Sequence, residues 1–233
     1  MDMFSRSLRP AKKARIYAFL RPLIGHKLLD QLRLNRNFYF YRKAGIIFIH
    51  IPKAAGSSIS HSLYGRSLGH FSGRELLAFQ PTTFAGLYSF SVVRHPVDRL
   101  RSAYNYIRSN GTEFGSIAPD KEYLADDFQT FDLFVKSWLP RQDPNRLDPV
   151  LRPQAQFVCD GDGELLVKEI FKLESLADNW STILSRGRSY QKTLGRHNVN
   201  ADRFCEILGD DHELIGLISK TYGQDMDLWK SAI

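Results

Sequence analysis

Residues Gly45 to Tyr64 read GIIFIHIPKAAGSSISHSLY. The run Ile46-Ile47-Phe48-Ile49-His50-Ile51 is apolar and β-branched, the composition of a strand covered on both faces of a parallel sheet. The second half predicts a helix, with Ser57 and Ser58 in its first turn or capping it, and Ile59 and Leu63 four apart on one face. Between them, Pro52-Lys53-Ala54-Ala55-Gly56 is a tight loop of small residues. A strand that feeds such a loop into a helix start collects unpaired backbone N–H groups at the positive end of the helix dipole. That arrangement is an anion site, to which Lys53 adds a full charge. Taken alone, the stretch also fits an ordinary βα turn in which Gly56 serves the backbone and Lys53 faces water.

A second unit of the same kind follows. Leu87 to Val93 is strand-like and ends in Arg94-His95-Pro96; Pro96 suits a first helical position, and Leu100, Ala103, Tyr104 and Ile107 continue at helical spacing. Arg94 leaves the strand end, where ligands of open α/β sheets bind, and Arg99 and Ser102 lie on the following helix. Arg94 and Ser102 can converge on a second phosphate, the alternative being an Arg94–Asp98 pair with Ser102 merely allowing close packing. Together the two units predict one α/β domain, P-loop-like and three-layered, with a central parallel sheet flanked by helices.

Elsewhere, His61 to Gly73 reads as a loop and Arg74 to Phe79 as a short helix. Residues 109–126 and 139–153 read as loops, and Asp127 to Trp138 as a helix with Phe128, Phe131, Phe134, Val135 and Trp138 on one face. Gln154 to Cys159 and Leu165 to Phe171 read as strands around the turn Asp160-Gly161-Asp162-Gly163, which lacks the third ligand and closing Glu of a calcium loop. From Glu174 the chain reads mostly helical, interrupted at Gly187 to Asn200.

Composition sets the outer limits. The 233 residues, 43% hydrophobic, suit one soluble domain, with no run of 18 apolar residues and no signal-like h-region. Cys159 and Cys205 alone form neither a metal site nor a disulfide framework, so a reducing cytoplasm is the expected compartment. Of the net charge of +7, residues 1–43 hold +9 (11 Lys or Arg against Asp2 and Asp30), leaving −2 for the remainder. The basicity belongs to an N-terminal arm, 1–43, ahead of a domain at 44–233, and the neutral body argues against a nucleic-acid partner. In the arm, Ile16, Phe19, Leu20, Leu23, Ile24, Leu28 and Leu32 follow helical spacing past Pro22, among basic residues. Such a segment fits either a peripheral contact with an anionic membrane or a helix packed on the core.

With both units in hand, FIHIPKAAGSSI (Phe48 to Ile59) and FSVVRHPVDRLRSAYNY (Phe90 to Tyr106) resemble the two cofactor-binding motifs of the sulfotransferases, particularly the carbohydrate branch called sulfotransferase family 2. The family's first motif, similar to IPKTAGTS, binds the 5′-phosphosulfate end of 3′-phosphoadenosine 5′-phosphosulfate (PAPS). Its second, similar to VRNPxxRxxSxY, binds the 3′-phosphate through Arg and Ser. The resemblance implies Lys53, Ala54, Ala55, Gly56, Ser57 and Ser58 on the 5′ side and Arg94 with Ser102 on the 3′ side. Ala54 stands where the family has Thr, and His95 where it has Asn. Weaker similarity continues around Gln154, in KLESLADNW (Lys172 to Trp180) and at Arg196-His197-Asn198, so the likeness runs from Ile46 to the C-terminus.

Sulfuryl transfer, like phosphoryl transfer, is mainly in-line positioning and neutralisation of charge, which Lys53 and loop N–H groups supply without a metal. The acceptor hydroxyl needs a base. Gly69-His70 matches the family's placement of a catalytic His between the motifs, which makes His70 the expected base; His61 more readily packs or caps, and His50 is a core histidine. The implied acceptor is a carbohydrate or glycolipid. Two other classes fit parts of the sequence. A P-loop kinase or nucleotide hydrolase would need Lys after the last Gly, whereas Lys53 precedes Gly56, and a non-catalytic module would use only the basic arm to dock on acidic glycans or membranes.

Overall fold

The computed structural model describes residues 26–109, 123, 126–188, 193–195 and 212–233. Three parallel strands lie in the order β1 (Ile46–Ile49), β2 (Tyr88–Val93), β3 (Glu169–Lys172). Ile46 pairs with Tyr88 and Phe90 with Glu169, so the central strand β2 is buried between neighbours. The fold is α/β with a parallel sheet, as the two strand–turn–helix units predict. Because β1 and β2 are parallel neighbours, the turns that leave their C-terminal ends emerge side by side.

Helices surround the sheet: α1 (His26–Ala44), α2 (Gly56–Tyr64), α3 (Gly73–Phe79), α4 (Pro81–Gly86), α5 (Pro96–Arg108), α6 (Ala155–Val158), α7 (Leu176–Ser185) and α8 (His212–Ser231). Ser72 opens α3 with a reciprocal capping box to Glu75. One apolar cluster packs the sheet against α1 and α2 through Phe38, Ile47, Ile59 and Phe90; a second gathers Leu100, Phe128, Phe134, Leu151 and Tyr222 beneath α5.

Several elements differ from expectation. Gln154 to Cys159 is not a strand, because the Asp225 carboxylate accepts the N–H groups of Gln154 and Ala155 (2.8 and 2.9 Å) and so caps the short helix α6. The strand expected over Leu165 to Phe171 is shifted to β3, with only an isolated bridge, Cys159 to Leu165, across the Asp160 turn. The helix over Asp127 to Trp138 is interrupted after Phe128, and Thr130 restarts it by accepting the Leu133 N–H at 3.1 Å. His61 to Tyr64 belongs to α2 rather than to the loop, and α4 is an added helix.

The N-terminal arm is a helix from His26 onward, packed on the core through Leu34, Phe38, Tyr41 and Ala44. Leu28 and Leu32, read as part of its apolar face, stand 48% and 56% exposed, because the face that packs is set by Leu34, Phe38 and Tyr41, which lie on a different stripe of the helix. Ile16, Phe19, Leu20, Pro22, Leu23, Ile24, Arg196-His197-Asn198, Cys205 and most of the 109–126 segment lie outside the described residues. Cys159 is a buried free thiol. No described helix is long and apolar enough to cross a membrane.

Candidate active site

The loop after β1 is held in an uncommon backbone state. Lys53 and Ala55 both occupy the left-handed region, at φ 68° and 57°, although neither is glycine. Each such residue costs about 1–2 kcal/mol, so the surrounding structure must hold the loop there. Left-handed residues placed one apart are a backbone pattern found in anion-binding nests, and α2 begins directly after Ala55. Ala55 sits at the N-cap with no side-chain cap, so the first-turn donors have no side-chain acceptor from that position. Ser57 and Ser58 lie in the first turn of α2, and Ala54 is buried.

Gly56 fits because His50 leaves no room for anything larger. A Cβ there would stand 1.8 Å from His50 Cδ2 and 2.1 Å from Nε2. His50 is only 6% exposed, its Nδ1 has no hydrogen-bond partner among the described residues, and burial holds its pKa well below the ordinary imidazole value. It is the core histidine that the strand reading expects.

His70 lies against it, with ring centroids 4.1 Å apart. Its Nδ1 is 3.2 Å from the His50 carbonyl oxygen. A carbonyl can only accept, so this bond requires the Nδ1 proton and leaves Nε2 as the basic nitrogen. The ring keeps a solvent-facing side while protein crowds the rest. Burial therefore lowers its pKa, the bond to His50 works the other way, and the charges of Arg33 and Arg99 push it further down. The segment is set by α1, whose Asn37 donates to the Leu68 carbonyl at 2.7 Å and whose Arg33 guanidinium lies 5.3 Å from the Phe71 ring centre. Gly69, at φ 86°, makes the turn between them. His61, in contrast, is on α2 and bonds the Ser57 carbonyl through Nδ1 at 2.8 Å, the local role expected of it.

Helix α5, which follows the second turn, contacts the first turn through Arg99 and Tyr106. Arg99, fully buried on α5, donates from Nε to the Pro52 carbonyl at 3.0 Å, immediately before Lys53. Tyr106, two turns further along α5, places its ring 4.3 Å from the Lys53 ammonium. Arg94 and Ser102 are half-buried at the end of β2 and on α5. The side chain of Gln154 clamps the Arg94 backbone, Oε1 accepting its N–H at 3.0 Å and Nε2 donating to its carbonyl at 2.9 Å.

Arg99, Gln154, Tyr106 and Asp225 thus join the site, roles the sequence reading did not assign. For Arg99 the available signals were its match to the second Arg of the motif VRNPxxRxxSxY and its place as a large cation among apolar helix positions. Asp225, in the polar run Gly223-Gln224-Asp225, carried none. No cluster of three or more metal-ligating side chains exists among the described residues.

The arrangement is two adjoining cation-bearing turns at the ends of parallel strands, with an imidazole beside one of them. The model of the sulfotransferase family matches residues 36–230 of the 233. The chain belongs to the sulfotransferase family. No curated protein and no solved structure matches it. The sulfotransferase match begins inside α1 rather than at Ile46, in keeping with the packing of Phe38 and Tyr41 against the sheet. A sulfotransferase catalyses sulfuryl transfer.

Proposed function

We propose that the protein transfers the sulfuryl group of PAPS to a hydroxyl of a carbohydrate or glycolipid acceptor. The observation that carries this reading is the junction of the first turn with the helix that follows the second: the Arg99 bond to Pro52 and the Lys53–Tyr106 contact tie the loop after β1 to α5. That junction suits a nucleotide charged at both ends. The nest of residues 53–58 fits a 5′-phosphosulfate, and Arg94 with Ser102 a 3′-phosphate. PAPS, when bound, supplies an activated sulfuryl group on a phosphate leaving group.

The residues divide the work. Lys53 and the first-turn N–H groups of α2 neutralise charge on the leaving oxygens. His70 Nε2 takes the acceptor's proton as the acceptor oxygen–sulfur bond forms and the sulfur–phosphate oxygen bond breaks. Its lowered pKa keeps the ring neutral, hence basic, at pH 7. His70→Ala should cut turnover on the order of a hundredfold to ten-thousandfold while donor affinity stays largely intact.

Calorimetry tests the reading. Adenosine 3′,5′-bisphosphate should bind in the micromolar range or tighter without magnesium, and radiolabelled PAPS should label a member of a glycan and glycolipid panel. Tighter binding of ATP with magnesium would favour a kinase instead, and binding of neither nucleotide a non-catalytic module. A peripheral contact with an anionic membrane has its own support: Leu28, Leu32 and Tyr39, 48%, 56% and 57% exposed, form a stripe along α1, which also exposes Lys27, Arg42 and Lys43.

A further inference from the structure

The segment 150–155 bonds directly to the second turn, at Arg94, and is linked to the first through Arg99 of α5. The Val150 and Arg152 carbonyls accept from Arg99 Nη2 at 3.3 and 2.7 Å, while Arg99 Nε reaches the Pro52 carbonyl. Two residues later Gln154 clamps the backbone of Arg94. The segment is fixed in turn by α8: Asp225 accepts the N–H groups of Gln154 and Ala155, and the Tyr222 hydroxyl donates to the Leu151 carbonyl at 2.7 Å. Arg99, Gln154 and Asp225 have at most 1% of their surface exposed. Burial raises the Asp225 carboxyl pKa, and the charge of Arg99 and the two N–H donors oppose that rise.

We propose that Arg99, Gln154 and Asp225 form a buried strut that sets the distance between the two anion-binding turns, with Gln154 as the positioning residue that gives Arg94 its preference for a 3′-phosphorylated nucleotide. The inference rests on the donor reading above. Strand pairing explains why a glutamine serves here. The backbone bond from Leu173 to the Val93 carbonyl is the last between the β3 side and β2, so the N–H and carbonyl of Arg94 lie just past the ladder. A primary amide offers one acceptor and one donor at the spacing of a peptide group, and Gln154 extends the ladder by one residue. Its bonds go to the Arg94 backbone, so it directs the guanidinium by fixing the chain from which that side chain springs. Arg99 acts on the other turn by anchoring Pro52, the residue before the left-handed Lys53. The strut thus has a 3′ arm and a 5′ arm, which separate experimentally.

Titration calorimetry with adenosine 3′,5′-bisphosphate and adenosine 5′-monophosphate separates them. The wild-type protein should bind the bisphosphate more tightly. Gln154→Met, which removes both bonds to Arg94, should shrink the ratio of the two affinities on the order of tenfold while the monophosphate Kd stays within about twofold. Arg99→Lys should weaken both nucleotides by similar factors and preserve the ratio. Gln154→Glu keeps the shape and the acceptor for the Arg94 N–H but loses the donor; it should shift the ratio in the same direction and serves if the Met variant does not fold. A Gln154 variant that weakens both nucleotides equally, or neither, overturns the strut and leaves the donor reading standing. Wild-type protein that fails to distinguish the two nucleotides overturns the donor reading, and the strut falls with it.

Discussion

Replacing Gly56 by Ala adds one methyl group at the point where the loop and the histidine pair meet. The new Cβ would fall 1.8 Å from His50 Cδ2, 2.1 Å from Nε2 and 2.5 Å from Cγ, so a whole ring edge must move, not the tip of a flexible chain. The backbone at Gly56 has no positive φ, so the cost is steric alone. His50 cannot yield freely, since it is almost fully buried and the His70 ring lies 4.1 Å away, centre to centre. Overpacking of this kind costs about 1–3 kcal/mol, and the severity of this overlap places the estimate at about 3 kcal/mol. For a chain of this length that is a fall of about 6–12 °C in Tm. The double variant Gly56→Ala/His50→Ala should be less destabilised than the sum of the two single changes, because removing the ring opens the space the methyl needs. Urea unfolding of the four proteins measures this coupling. Additive single effects, or a Gly56→Ala protein with native stability, would refute the assignment of Gly56 to the histidine contact.

The remaining expectations follow from charge and exposure. The pKa of His70 is lowered, so the acid limb of kcat/KM should fall below the ordinary imidazole value of about 6.5, with activity rising as the ring loses its proton; a limb above that value would remove His70 as the base. For stability the sign is the same. His50 has a depressed pKa in the fold, so below about pH 6.5 the unfolded chain binds the proton first, and stability should fall by up to about 1.4 kcal/mol per pH unit; a urea midpoint flat between pH 7.5 and 5.5 would contradict this. Leu28→Glu/Leu32→Glu should lower co-sedimentation with vesicles rich in phosphatidylserine and leave Tm nearly unchanged, whereas equal sedimentation of both proteins would deny α1 a membrane role.

The parts of this protein legible in its sequence are those whose residues act locally. Ile46 to Ile49 and Tyr88 to Val93 are continuous apolar runs followed by Lys53-to-Gly56 and Arg94-to-Pro96, so strand, turn and helix could be read in each unit without knowing the fold. His70 could be singled out as the candidate base through the family resemblance, but not its tautomer, which depends on a carbonyl twenty residues earlier. What could not be read is set by contacts distant in sequence. Gln154 to Cys159 has a strand's apolar pattern, and only a carboxylate some seventy residues away makes it a helix start. Leu28 and Leu32 follow helical spacing correctly, yet periodicity does not say which stripe of a helix meets the core.

The loop after β1 departs from what stability alone would select, and this gives the sharpest separation of fold from function. An N-cap position favours Asp, Asn, Ser or Thr, and a left-handed backbone favours Gly or Asn; Ala55 satisfies neither preference. Ala55→Asp would place a carboxylate at the positive end of α2 on a backbone that Asp tolerates better than Ala. The left-handed φ of 57° prevents the usual capping geometry, so the gain is limited to the interaction of charge with dipole, about 0.5–1 kcal/mol. The same carboxylate would occupy the nest proposed for the 5′-phosphosulfate and repel it, weakening adenosine 3′,5′-bisphosphate by at least about tenfold. Thermal unfolding and calorimetry on one preparation should therefore move in opposite directions: a higher Tm with a weaker Kd. A variant that gains stability yet binds the nucleotide like wild type would show that the first turn of α2 does not face the donor. A loss in both would mean that Ala55 serves the packing of the loop and not the reception of an anion.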